Sequence, residues 1–167
     1  MSKCIVLVGA TGTGKTTTAC ELLKGFNNRQ NLIFDVNNEE KYKPFKNIWN
    51  KNFDFKNFVI SANLQKNTNI VFEEATIFFS HSGSTENIKK LLVQKRHTNN
   101  ILIFNFHSLR QVPLFILDFC DLLILGKTID NYRNIETKFA QFEDIFEAFN
   151  IVQNSEDKYI KIFVELL

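Results

Sequence analysis

Short, nearly unbroken apolar runs alternate along the chain with segments whose apolar residues recur every three or four positions. Cys4-Ile5-Val6-Leu7-Val8 is the first run and reads as a strand buried on both faces. A helical pattern from about residue 15 to 25 follows. Asn31-Leu32-Ile33-Phe34-Asp35-Val36 gives a second strand and Asn69-Ile70-Val71-Phe72 a third, ending in Glu73-Glu74. Ile88, Leu91, Leu92 and Lys95 are spaced by three and four, which predicts a helix that Ser84 or Thr85 caps and that runs to about Arg96. Ile101-Leu102-Ile103-Phe104-Asn105-Phe106 is a fourth strand. Pro113 opens a short helix through about Cys120, and Asp121-Leu122-Leu123-Ile124-Leu125 is a fifth strand. One further helix is expected over about Asn134 to Asn150. A late strand from Tyr159 to Leu166 then puts Ile160, Ile162, Val164 and Leu166 on one face.

Strands that are apolar throughout, separated by helices, predict an α/β fold with a mainly parallel central sheet covered on both sides. The stretch from about 37 to 68 has no clear period. It interleaves Lys41, Lys43, Lys46 and Lys51 with Tyr42, Phe45, Trp49 and Phe53, which suits either a solvated surface with aromatics folded inward or a loop for DNA or another partner. No internal repeat, low-complexity tract or linker is visible, so residues 1–167 are expected to form one domain.

Composition adds little beyond a globular class. Hydrophobic residues are 44% and charged residues 23% of the chain, and 18 Phe against 6 Gly and 2 Pro imply a bulky core. The net charge of +2 is too small to predict nucleic-acid binding by itself, so any DNA contact must come from a local patch or from several subunits acting together. Cys4, Cys20 and Cys120 are odd in number and lack metal-ligand spacing. Cys4 and Cys20 read as buried beside the first turn. Together with the lack of a signal peptide or membrane-length apolar run, this gives the expectation of a reduced, cytoplasmic location and no structural zinc.

The chemistry is written in Gly9-Ala10-Thr11-Gly12-Thr13-Gly14-Lys15-Thr16, followed by Thr17. It fits G-x-x-x-x-G-K-[ST] between a strand and a helix, where glycines let backbone amides wrap an anion at the positive end of the helix. Gly9 to Thr17 are therefore the candidate nucleotide-binding residues. Lys15 is expected to reach the terminal phosphates, and Thr16 to give its hydroxyl to Mg²⁺. Such a loop needs one acid for the metal and one for the attacking water. Glu73 is assigned to the metal and Glu74 to the general base, since both stand at the end of an apolar strand. Asn105 and His107 end the fourth strand on one side and are alternative sensors of the terminal phosphate. Arg96 and Arg110 are alternative arginine fingers for a neighbouring subunit.

With these positions in hand, the chain resembles the FtsK/HerA class of P-loop ATPases, most of all viral and phage genome-packaging ATPases, with the Zot-type phage proteins as close relatives. Gly9 to Thr16 carry the first motif. Phe34-Asp35 with Glu39 and Tyr42 is similar to its second-strand segment, and Val71-Phe72-Glu73-Glu74-Ala75 to its acid pair. Arg96-His97, the strand 101–106, His107-Ser108 and Pro113 resemble its arginine, strand, sensor and proline block. The resemblance implies a three-layer RecA/ASCE-like fold, ATP and Mg²⁺ as cofactors, and self-association into a homo-oligomeric ring that moves double-stranded DNA. It also implies Glu74 as base, His107 as sensor and Arg96 as finger. A capsid or portal protein would be a further partner, with the host cytoplasm or the virion as location. Two positions depart from the class: Glu73 stands where Asp is usual, and His107 where Gln is usual.

Two other readings share the loop. A small nucleoside or nucleotide kinase has this length, but residues 127–140 offer only Arg133 among Lys127 and Lys138 for a lid. A Zot-like assembly or export factor would bind nucleotide with little turnover. A GTPase is disfavoured: Gly126-Lys127-Thr128-Ile129-Asp130 lacks the Asn of a guanine-reading Asn-Lys-x-Asp and has the wrong spacing.

Overall fold

A computed structural model describes residues 2–45, 48–49, 54–80 and 84–166. Seven strands form one sheet in the order β3-β2-β4-β5-β1-β6-β7. They are β1 (Lys3–Val8), β2 (Gln30–Phe34), β3 (Ile48–Trp49), β4 (Thr68–Phe72), β5 (Ile101–Phe106), β6 (Leu122–Gly126) and β7 (Lys161–Glu165). All pairings are parallel except β6 with the edge strand β7. Among the described residues, seven helices connect them: α1 (Lys15–Gly25), α2 (Phe55–Asn63), α3 (Ala75–Ser80), α4 (Ser84–Thr98), α5 (Leu114–Leu117), α6 (Tyr132–Lys138) and α7 (Glu143–Asn154). The three-layer α/β arrangement expected from the strand pattern is thus present.

The layers are unequal. One face of the sheet, with Ile5, Leu7, Ile33, Val71, Ile103 and Ile124, is covered by Ala19, Cys20 and Leu23 of α1 and by Tyr42 from a short 3₁₀ turn at Glu40–Tyr42. The other face packs against α2 to α7 in a larger core. Phenylalanines dominate that core. Phe34 meets Phe58 and Phe78 at centroid distances of 4.9 and 5.0 Å, and Phe72 stacks on Phe104 at 4.6 Å and 11°. Truncating one such ring to Ala costs about 3–5 kcal/mol. The Phe72–Phe104 stack also joins β4 to β5 one residue before Glu73 and Asn105, so core packing sets the register of the polar residues that follow.

Several expectations need correction. The single helix expected over 134–150 is two, α6 and α7, joined through Phe139–Phe142. Ile135, Phe139, Phe142, Ile145, Phe149 and Val152 keep a continuous helical spacing through the joint, so the pattern does not betray it. Phe139 closes α6 by donating its amide to Ile135, and α7 then lies along β6 and β7. The helices α2 and α3 and the 3₁₀ turn were not legible. Asp54 caps α2 by accepting the Asn57 amide at 3.0 Å. Cys4 is buried, but at the start of β1, away from the glycine turn. It lies beside Cys120, Lys95 and Asp121. The Lys46, Lys51 and Phe53 positions of the basic-aromatic stretch lie outside the described residues, as does the Trp49 side chain. Tyr42 of that stretch is fully buried. Among the described residues, no helix is long and apolar enough to cross a membrane.

Candidate active site

The chain leaves β1 at Val8 and turns through Gly9–Gly14 into α1. Gly12 and Gly14 hold φ of +79° and +86°, a left-handed backbone that suits glycine. A Cβ on Gly9 would lie 2.5 Å from Thr13 Oγ1, so the turn closes only around a bare backbone there. Ala10 donates its amide to the Lys127 carbonyl at 2.7 Å, which anchors the turn to the end of β6. Lys15 folds back over the turn, donating to the carbonyls of Gly9 at 2.6 Å and Ala10 at 3.2 Å. Burial pulls the Lys15 ammonium below its usual pKa, against the opposing pull of Glu73, Glu74 and Glu39.

A cleft of about 540 Å³ opens above this turn, lined on its far side by Asn37, Glu39, Lys41, Glu73, Glu74 and His107. Glu73, Asn105 and His107 share the α1 side of the sheet because strand alternation places them with Val71 and Ile103. Glu73 is 5% exposed and held by three donors. Thr16 Oγ1 donates to its Oε1 at 2.8 Å, and Tyr42 Oη and Asn105 Nδ2 donate to its Oε2, the latter at 2.5 Å. Burial raises the Glu73 carboxyl above its ordinary value, and these three donors oppose the rise. Burial and Glu73 together push the Tyr42 phenol well above its usual range, so it stays a donor.

Glu74 leaves the strand and heads α3. Its two oxygens each lie 2.8 Å from His107 Nε2, and Asn37 Nδ2 donates to Oε1 at 3.2 Å. His107 Nδ1 faces the Lys15 ammonium at 3.4 Å. An ammonium has only donors, so Nδ1 must accept and Nε2 must carry the proton toward Glu74. The order Lys15, His107, Glu74 therefore links the phosphate-loop cation to the second acid through one imidazole.

Glu73, Glu74, Thr16, Lys15, Asn105 and His107 are thus brought together as the sequence anticipates. Asn105 and His107 are divided between the acids: Asn105, 1% exposed, serves Glu73, and the partly exposed His107 serves Glu74. The two arginines are not part of the cluster. Arg96 is exposed near the C-terminus of α4, at the end of the sheet where β5 begins; β1 and β5 run parallel, so the glycine turn is at the opposite end. Arg110 is exposed at the cleft end of β5, with Nε 3.9 Å from Asp130. Asp130 also accepts the amides of Leu109 and Arg110, which makes it a brace for the 109–111 turn and no reader of a base.

Tyr42, Asn37 and Lys41, which donates to Thr17 Oγ1 at 2.6 Å, carry no role in the sequence reading. Only the placement of Glu39 and Tyr42 after Asp35 hinted at them. Asp35 itself closes the intervening turn by accepting the amides of Asn37 and Glu39, and so aims Asn37, Glu39 and Tyr42 at the acids.

The donors around Thr16 suit Mg²⁺. The Thr16 hydroxyl and the Glu73 carboxylate are hard oxygen ligands, and the buried Oδ1 of Asn105 has no hydrogen-bond partner among the described residues, leaving an acceptor for a metal-bound water. No group of three or more His, Cys, Asp or Glu able to hold a metal occurs among the described residues.

No curated protein matches the chain. The genome packaging NTPase B204 of Sulfolobus turreted icosahedral virus 2, in complex with ATP-gammaS, superposes with a TM-score of 0.77 at 20% identity, covering 99% of this chain and 92% of that one. B204, the DNA-packaging ATPase of Sulfolobus turreted icosahedral virus, gives 0.76 at 16% identity, over 98% and 92%. EssC (ATPases 2 and 3) of Geobacillus thermodenitrificans gives 0.60 at 13% identity, over 83% of this chain and 34% of that one. At these identities the likeness is one of fold, and it is the fold that the sequence resemblance implied. The family model described as "Type III restriction enzyme, res subunit" matches residues 2–145. The chain therefore belongs to that family of P-loop ATPases.

Proposed function

We propose that the chain is a Mg²⁺-dependent ATPase that works as a homo-oligomeric ring to move double-stranded DNA, with genome packaging into a capsid as its task. The observation that carries the hydrolytic part is the Lys15–His107–Glu74 chain beside the Thr16–Glu73 pair. It supports a general base at the outer end of the phosphate loop. Glu74 takes the proton of the attacking water, and His107, donating from Nε2, holds its carboxylate in place. Thr16 and Glu73 would hold Mg²⁺, directly or through water, and the cation would supply charge neutralisation for the terminal phosphates. Lys15 exchanges its two carbonyl partners for phosphate oxygens, which frees His107 Nδ1. That exchange couples occupancy of the loop to the setting of Glu74. An arginine from the neighbouring subunit, Arg96 or Arg110, completes the site.

The DNA-packaging part is supported by likeness over nearly the whole length to B204, a viral genome packaging NTPase. A ring also answers the weak net charge, since several subunits together build a basic surface that one lacks. A portal or capsid protein is the partner such a motor requires.

A kinase lid is disfavoured by the packing of α6. Lys138 at its end donates to the carbonyls of Arg110 and, at 2.6 Å, Val112, so the segment is tied down. ATP turnover measured against protein concentration and duplex DNA tests the motor. Turnover rising faster than protein concentration and stimulated by DNA is expected. Turnover strictly linear in protein and blind to DNA refutes it, phosphate transfer to a nucleoside or nucleotide reassigns the chain as a kinase, and tight binding without hydrolysis as a Zot-like factor.

A further inference from the structure

The end of the chain returns to the phosphate loop. A Cβ on Gly12 would lie 3.3 Å from Lys158 Nζ, and one on Gly14 would lie 3.5 Å from Lys161 Nζ and 3.9 Å from the Tyr159 ring. Sheet order explains the approach. β6 pairs with β1 on the side away from β5, and β7 pairs with β6 so that Lys161 stands opposite Gly126. Glu73, Glu74 and His107 come from β4 and β5, on the other flank of β1. A nucleotide whose terminal phosphate faces the acids therefore lays its sugar and base toward β6 and β7.

Tyr159 is 60% exposed on that flank. It is not a loose surface ring. Its amide donates to Asp157 Oδ1 at 2.8 Å, and the Asp157 amide donates to Ser155 Oγ at 3.1 Å. Lys127 Nζ donates to the Ser155 carbonyl, while the Lys127 carbonyl accepts from Ala10 of the phosphate loop. One residue thus fastens both the loop and the turn that carries Tyr159. Lys158 Nζ lies 5.8 Å from the centre of the Tyr159 ring, a cation–π distance that keeps the amine beside the ring.

We propose that Tyr159 is the stacking platform for the nucleobase, flanked by Lys158 and Lys161 on the sugar-phosphate side; this rests on the reading that the loop holds a nucleoside triphosphate. The groups against Gly12 and Gly14 are two amines and a ring. Stacking on a ring is indifferent to which base is present, so ATP and GTP bind with similar affinity.

Calorimetric titration of ATP, GTP and inorganic tripolyphosphate into the wild-type protein, Tyr159→Ala and Tyr159→Phe tests this. Tripolyphosphate reads the loop alone. Tyr159→Ala should weaken ATP and GTP by roughly five- to hundredfold while leaving tripolyphosphate unchanged. Tyr159→Phe should match the wild type. ATP binding that is unchanged in Tyr159→Ala, or ATP and tripolyphosphate falling together, overturns the platform. The ring is exposed, so its removal leaves both cores intact, and Tyr159→Phe controls for the fold. Hydrolysis and DNA are not read, so the platform can fail while the motor reading stands. Wild-type protein that binds neither ATP nor tripolyphosphate overturns both.

Discussion

If His107 acts only by holding Glu74, removing it must do nothing once Glu74 can no longer act as a base. Glu74→Gln keeps the shape and the Asn37 contact but abolishes proton acceptance. Losing a general base costs roughly two to four decades, or about 2.7–5.4 kcal/mol at 1.36 kcal/mol per decade. His107→Ala removes the donor that sits 2.8 Å from both Glu74 oxygens. Hydrogen bonds to charged groups contribute about 1.5–3 kcal/mol. The His107 side chain is 38% exposed, so water can take its place and the lower bound applies. About one decade in the hydrolytic step is therefore expected from His107→Ala alone. The double variant should be no slower than Glu74→Gln, because the two residues act as one unit. The assay is single-turnover hydrolysis at saturating ATP, which separates chemistry from binding and release. A double variant slower by a further decade would falsify the coupling and give His107 its own contact with the phosphate. Wild-type rates in His107→Ala would leave the Lys15–His107–Glu74 chain without a function.

Removing either arginine finger candidate should leave ATP binding intact. Arg96 lies at the end of the sheet opposite its own cleft and can serve only a neighbour, so Arg96→Ala should slow turnover of the assembled protein by up to roughly three to five decades; unchanged turnover in Arg96→Ala, with loss in Arg110→Ala, reassigns the role. Lys95, 3% exposed, binds Asp121 at 2.5 Å and the Phe119 carbonyl at 2.5 Å. Lys95→Ala leaves Asp121 with the Cys4 amide alone among these partners and should destabilise the fold by about 3 kcal/mol in urea unfolding, and a change below about 1 kcal/mol contradicts a buried pair. Glu73 supplies a pH signature. Its folded pKa is raised, so its contribution to stability is present below the ordinary carboxylate range and lost as pH rises through the raised value. Urea midpoints of the wild type relative to Glu73→Gln should therefore fall as pH rises above the ordinary carboxylate range, and a flat difference rejects the raised pKa.

How far the sequence reached depends on how local each signal was. The phosphate loop was legible because every constraint on it lies within residues 4–16: strand, glycines, lysine and threonine. The parallel strands were legible because burial on both faces leaves an unbroken apolar run. Glu73 and Glu74 were found as an acid pair at a strand end, a pattern within one segment. Tyr42 was not, because its bond to Glu73 requires β2 to lie beside β4 and a turn closed by Asp35. Nothing local distinguishes such a tyrosine from any other aromatic folded inward.

By itself the sequence determined which segments bury themselves, where the chain wraps an anion, and which acids end a strand. Tertiary structure alone decided the division of labour among them. Strand order placed β5 between β4 and β1, so that Asn105 and His107 each met a different acid, and it placed β7 beyond β6, so that Tyr159 met the loop from the other side. Those choices are made by sheet pairing over distances in sequence from about thirty to well over a hundred residues, and no periodicity or motif of a single segment carries them.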